Sequence, residues 1–273
     1  MEKIRRNERM STMMKILADA PNRIFTLSYF CELFGAAKST MSEDIDILRD
    51  VVKQFGLGEL ETVTGAAGGV RYRTVASKAD AQAYIAELCQ QLSGTSRVLP
   101  GGFLYSSDIL SAPEAVRRMG EIIATEYYAA APDFVLTMET KGIPVAMYTA
   151  NALGVPLVIA RRSSKVYEGS AVNINYVSGS TGHIETMSLS RRAVKEGQRT
   201  LIVDDFLKAG GTAKGMVELM HEYNIEVVGM AFVMETASPE KKRITDYKSL
   251  MVLDISDDDQ PVATLKPADW LMA

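Results

Sequence analysis

Leu201-Ile202-Val203-Asp204-Asp205-Phe206-Leu207-Lys208-Ala209-Gly210-Gly211-Thr212 is the stretch on which the reading of this chain turns. Its apolar opening reads as a strand that stops at two adjacent carboxylates. Two glycines and a threonine follow, then a helical segment from Ala213 to Tyr223. A strand-to-helix turn offers an anion backbone N–H groups and the positive end of a helix dipole. Glycines let that backbone come close to a phosphate. The acid pair can accept hydrogen bonds from sugar hydroxyls directly or through a magnesium ion, and the residues leave both open.

Working outward, Phe134–Met138 reads as a short buried strand, and Glu139-Thr140-Lys141-Gly142 leads from it into a helix ending at Leu153. Strands are expected over 155–160, 200–203, 227–234 and 250–255, alternating with helices that include 113–128. Such alternation predicts a mainly parallel sheet with helices on both faces. Ligands on such sheets bind beyond the carboxyl ends of the strands, where both special loops begin. The stretch from Arg161 to Arg192 is polar and charged, with an alternating segment at Val172–Val177, and reads as a hairpin.

The region before residue 75 is different. Helices are expected over Arg5–Ala20, from an N-cap at Thr26 to Phe34, and from a cap at Ser39 with an apolar stripe of Ile45, Leu48, Val51, Val52 and Phe55. Gly35-Ala36-Ala37 joins the second to the third, the helix-turn-helix pattern. Leu60–Thr64 and Val70–Val75 alternate across a glycine-rich turn, as the wing of a winged helix does. Candidate DNA contacts are Lys38, Ser39, Thr40 and Ser42 on the third helix, Arg71 and Arg73 on the wing, and Lys3, Arg5, Arg6 and Arg9 at the first helix. Glu43, Asp44, Asp46 and Asp50 oppose them, so a single copy is expected to bind weakly and a homodimer to pool its basic patches. A helix over 77–91 is expected to join two domains, 1–75 and 76–273.

At 273 residues, 47% apolar and 23% charged, the chain has a globular composition. No segment reaches the ~20 apolar residues of a membrane helix, and the charged start lacks a signal core. A cytoplasmic protein without membrane partners is therefore expected. Two cysteines cannot supply a four-ligand zinc site, and no metal site is expected among the residues. The net charge of −4 does not advertise nucleic acid, so local clustering of cations has to decide.

The run from Leu201 to Thr212 resembles the phosphoribosyl pyrophosphate (PRPP) loop of the type I phosphoribosyltransferases. The resemblance implies a PRPP site built from Asp204, Asp205, Phe206, Lys208, Ala209, Gly210, Gly211 and Thr212. Thr140, Lys141 and Gly142 then belong to the pyrophosphate loop, and the hairpin of 161–192 closes over the ligand. Lys165 and Arg191 are its candidate cations, unranked. Two residues depart from the enzymes: Ala209 stands where a hydroxyl residue usually donates to phosphate, and Lys208 where a small neutral one is usual. With the winged helix ahead of it, the whole chain resembles the purine operon repressors of Gram-positive bacteria. That resemblance implies an α/β fold with an N-terminal winged helix and a phosphoribosyltransferase-like domain. It also implies a homodimeric repressor of purine synthesis genes that binds operator DNA, with PRPP as effector, no obligatory cofactor and no transferase activity. The competing expectation is an active purine-base phosphoribosyltransferase with an appended regulatory domain.

Overall fold

A computed structural model describes residues 4–65, 68–163, 169–178 and 182–273. Lys3, Lys165 and Gly179-Ser180-Thr181 lie outside the described residues. The chain divides into two compact units, residues 1–77 with 151–154, and residues 78–150 with 155–273.

In the first unit α1 (Arg6–Asp19), α2 (Leu27–Phe34) and α3 (Lys38–Gln54) precede a hairpin of β1 (Glu59–Val63) and β2 (Gly69–Arg73). Thr26 caps α2, its hydroxyl accepting from the Tyr29 N–H at 3.1 Å. Gly35 ends α2 in the left-handed region, at φ 60°, which an L side chain enters at a cost. The third helix begins two residues earlier than a cap at Ser39 predicts, its N-cap being Ala37, with no side-chain cap. Its buried line is Met41, Asp44, Ile45, Leu48 and Val52. Val51 lies about a quarter-turn off that line at ~100° per residue, and the helix ends before Phe55; both are exposed. The hairpin is antiparallel, with Leu60 opposite Tyr72 and Glu61 opposite Arg71. Val70 and Tyr72 turn inward to join Met13, Leu17, Phe30 and Ile45 in one core.

The second unit opens with α4 (Lys78–Leu92), a two-strand hairpin β3 (Val98–Leu99) and β4 (Phe103–Leu104), α5 (Ser107–Leu110) and α6 (Pro113–Tyr127). Then come β5 (Phe134–Met138), α7 (Ile143–Leu153), β6 (Leu157–Ala160), and the hairpin β7 (Ala171–Val177) with β8 (Ile184–Ser190). The chain closes with β9 (Arg199–Leu207), α8 (Gly211–Glu222), β10 (Glu226–Thr236), β11 (Lys248–Ile255), β12 (Ala263–Pro267) and α9 (Asp269–Met272). Six strands form one sheet in the order β12-β11-β10-β9-β5-β6. All its pairs are parallel except β11 with β12, an antiparallel edge the sequence did not announce. Phe134, Leu136, Ile202 and Phe232 from this sheet pack with Met216 and Leu219 of α8 in a continuous core.

One expectation is corrected. The strand does not stop at the acids: β9 runs on to Leu207. The neighbouring β10 supplies the reason, because it keeps pairing past them, Phe232 with Asp204, Met234 with Phe206 and Glu235 with Leu207. The following helix starts at Gly211, ahead of the Ala213 expected. Among the described residues, no helix is long and apolar enough to cross a membrane.

Candidate functional site

Because β5 and β9 are parallel neighbours, their following loops emerge side by side. Between them opens a cleft of about 470 Å³. Of the residues expected there, Asp204, Asp205, Phe206, Lys208, Gly210, Gly211, Thr212, Thr140 and Lys141 line it. Ala209 and Gly142 do not; they stand behind it and shape it. The Ala209 carbonyl accepts from the Arg243 N–H at 2.9 Å, bracing the turn from outside.

Gly142 explains its own presence. A Cβ there would stand 2.1 Å from Asp204 Oδ1 and 2.7 Å from Thr137 Oγ1. No side chain fits between this loop and the acid. Gly210 is needed for a different reason: its φ of 81° is left-handed, and it turns β9 into α8. The first N–H groups of α8 have no partners within the helix, and the residues carrying them, Gly211 to Ala213, border the cleft.

The acid pair is held in an unusual state. Asp204 is 8% exposed, and its Oδ1 accepts from the Asp205 N–H at 3.0 Å. Burial, and then the neighbouring Asp205, push the Asp204 carboxyl well above the ordinary carboxylate range. Burial also raises Asp205, against the pull of Lys141. In the free cleft the pair therefore resists carrying two charges. A cation, or donors such as ribose hydroxyls, would restore them.

Sequence reasoning missed several lining residues. Arg162 borders the cleft, and its charge partly offsets the rise at Asp204. It sits in the right segment but was hidden among other cations of the hairpin. Glu139 was read only as part of a loop. Its Oε1 accepts from the Arg162 N–H at 2.7 Å, tying the loop after β5 to the segment after β6. Phe103, Leu104, Met138, Phe232 and Met234 give the cleft an apolar side, with no sequence signal beyond their hydrophobicity. Arg191, in contrast, does not line the cleft. Its N–H donates to the Ser170 carbonyl at 2.9 Å and its charge acts on the Tyr223 hydroxyl, because it leaves β8 at the end remote from Glu185.

In the first unit a groove of about 640 Å³ runs between α3 and the hairpin. Lys38 and Ser42 line it, joined by Ser28, Arg49, Thr62 and Thr64, which the sequence did not single out. Ser39 is exposed and Thr40 half-buried outside this groove. The wing arginines are already engaged: Glu61 Oε2 lies 2.8 Å from Arg71 Nε and 2.9 Å from Arg73 Nη1. Arg6 bonds Glu43 at 2.9 Å and Asp44 at 3.0 Å, while Arg5 is exposed. Arg9 is corrected from surface cation to core residue. It is 7% exposed and its guanidinium grips Asp44 at 2.8 Å. Asp44 is corrected with it: wholly buried, it adds no charge to the outer face of α3.

Two family models match the chain. One, described as bacterial purine repressor, N-terminal, covers residues 5–74, and the other, phosphoribosyl transferase domain, covers residues 106–265. The chain is 42% identical to the purine biosynthesis transcriptional repressor PurR of Bacillus subtilis, over 92% of this chain and 88% of that protein. It is 40% identical to the purine biosynthesis transcriptional activator PurR of Lactococcus lactis subsp. lactis, over 92% of this chain and 93% of that one. Among solved structures, adenine phosphoribosyltransferase of Rhodothermus marinus matches with a TM-score of 0.53 and 23% identity, over 61% of this chain and 97% of the enzyme. That last likeness bears on fold alone.

Proposed function

The chain belongs to the PurR family of purine biosynthesis transcriptional regulators, and from that premise we propose that it represses purine synthesis genes and is relieved by PRPP. In this reading residues 1–75 hold operator DNA and residues 76–273 sense the metabolite. The observation that carries the sensor half is one cleft. It brings an acid pair for a ribose (Asp204 buried, Asp205 half-buried), Lys141, and the amino end of α8 together within a single concavity. Asp204 and Asp205 accept from the ribose hydroxyls. The backbone of Gly210–Thr212 takes the 5′-phosphate, as helix amino ends do, and the loop of Thr140 and Lys141 takes the pyrophosphate. Magnesium is commonly held by one or two carboxylates together with ligand phosphates, a donor set that Asp204 and Asp205 fit.

The chain binds PRPP without turning it over. Supporting this, the residue before Gly210-Gly211 is Ala209, which has no hydroxyl to offer. DNA binding rests on phosphate contacts by Lys38 and its neighbours, doubled in a homodimer that acts in the cytoplasm. It therefore falls steeply with salt. Coupling is reciprocal: if PRPP weakens DNA binding, DNA weakens PRPP binding by the same factor. A band-shift titration of operator DNA with and without PRPP tests the scheme. Weaker binding with PRPP is expected, and unchanged or tighter binding overturns it. The Lactococcus relative is named an activator, so a reporter fused to a purine promoter decides the direction of control. A pyrophosphate-release assay with purine bases tests the enzyme alternative, and turnover would establish it.

A further inference from the structure

Arg162 borders the cleft, yet its guanidinium is engaged elsewhere. It pairs with Oε2 of Glu185 on β8. Glu185 lies directly across the hairpin from Tyr176 of β7, whose hydroxyl donates to the same carboxylate oxygen at 2.9 Å. Tyr176 is buried against α8. A Cβ on Gly215 would stand 3.0 Å from its Cβ and Cγ, so Gly215 lets the ring sit on the helix. Glu185 is thus anchored to the helix whose amino end forms the cleft.

The two ends of Arg162 differ. Its backbone is fixed by Glu139 at the start of the 139–142 loop. Its side chain is 58% exposed, against 21% for Glu185. An ion pair this open is weakly bound and yields to a stronger anion. A planar guanidinium engages phosphate oxygens in pairs, and the Arg162 charge already reaches Asp204.

We propose that Glu185 is a built-in competitor for the ligand of this cleft: it holds the Arg162 guanidinium, and a bound pyrophosphate group takes Arg162 in its place. Glu185 then keeps the Tyr176 hydrogen bond, so the exchange leaves neither group without a partner. The pair sets the affinity of the site, keeping the empty cleft from trapping weaker anions. This inference rests on the PRPP reading above.

The test is calorimetric titration of the full-length protein with PRPP and, separately, with inorganic pyrophosphate. Glu185→Gln keeps the shape and the Tyr176 contact but removes the charge. It should bind both probes about three- to tenfold more tightly than the original chain. Arg162→Ala should bind them about tenfold more weakly. In the double variant the gain from Glu185→Gln should vanish, which a general effect on folding or net charge would not produce. Glu185→Ser, checked for an unchanged melting profile, repeats the test without the amide. If the unaltered chain ignores PRPP, the functional reading fails. If it binds PRPP but Glu185→Gln does not tighten binding, or still tightens it when Arg162 is absent, this inference alone fails.

Discussion

Asp204 concentrates the chemistry of the molecule into one carboxyl. Its folded value is raised by burial above the ordinary 3.8, so a proton is held more tightly in the fold than in the unfolded chain. The stability tied to that proton is complete below the ordinary value and is lost as pH rises through the raised one. Asp204→Asn should therefore raise the melting temperature of the ligand-free protein at neutral pH by roughly 2–4 °C. That gain should vanish near pH 4, while PRPP binding is lost at both; melting scans across pH check the first part and titration the second. Gly142 is the counterpart in space. Gly142→Ala places a methyl 2.1 Å from Asp204 Oδ1, so either the loop or the acid must move. The expected cost is about 1–3 kcal/mol, read from the urea midpoint, with PRPP affinity falling alongside. The glycine was legible in the sequence as part of a loop. Its purpose was not, because the atom it makes room for is 62 positions away (142 against 204).

Elements of the first unit were legible because their signals are local. Thr26 and Gly35 sit where helix caps belong, and the structure uses both. Thr26→Ala should cost about 1 kcal/mol in a denaturant titration. Asp44 behaves differently, because its partner is on another helix. It is fully buried with Arg9 and pins α3 to α1. Removing one member of such a pair leaves a buried charge uncompensated, so Asp44→Ala should cost about 3–5 kcal/mol. A loss below ~1 kcal/mol in the same titration would show that the pair does not hold the helices. Sequence periodicity placed Asp44 on an acidic face because a one-letter pattern gives a carboxylate no credit for a guanidinium 35 residues earlier. The same limit let β9 end early on paper: its continuation past the acids is backbone pairing with β10, which side-chain polarity does not report.

Across the whole molecule the two readings meet as linkage. Asp204→Ala combined with Asp205→Ala should leave operator binding intact and remove the influence of PRPP on it, as a band shift would show. Retained influence would place the effector elsewhere. For the DNA half, Lys38→Ala should lower the slope of log affinity against log salt by about one. Arg71→Ala should lower it less, since that guanidinium is already neutralised by Glu61. Equal effects in filter-binding measurements would put the wing arginines on DNA phosphate after all. By itself the sequence determined the kinds of element, the alternation that makes a parallel sheet, and the loop chemistry suited to a phosphorylated sugar. Those rest on caps, periodicity and short motifs, which act over a few residues. Only the tertiary structure decided which cations are free and which are committed. Arg9, Arg71 and Arg73 are bound to acids, Arg191 stands off the cleft and Arg162 enters it, because the pairing of charges depends on distances that folding alone creates.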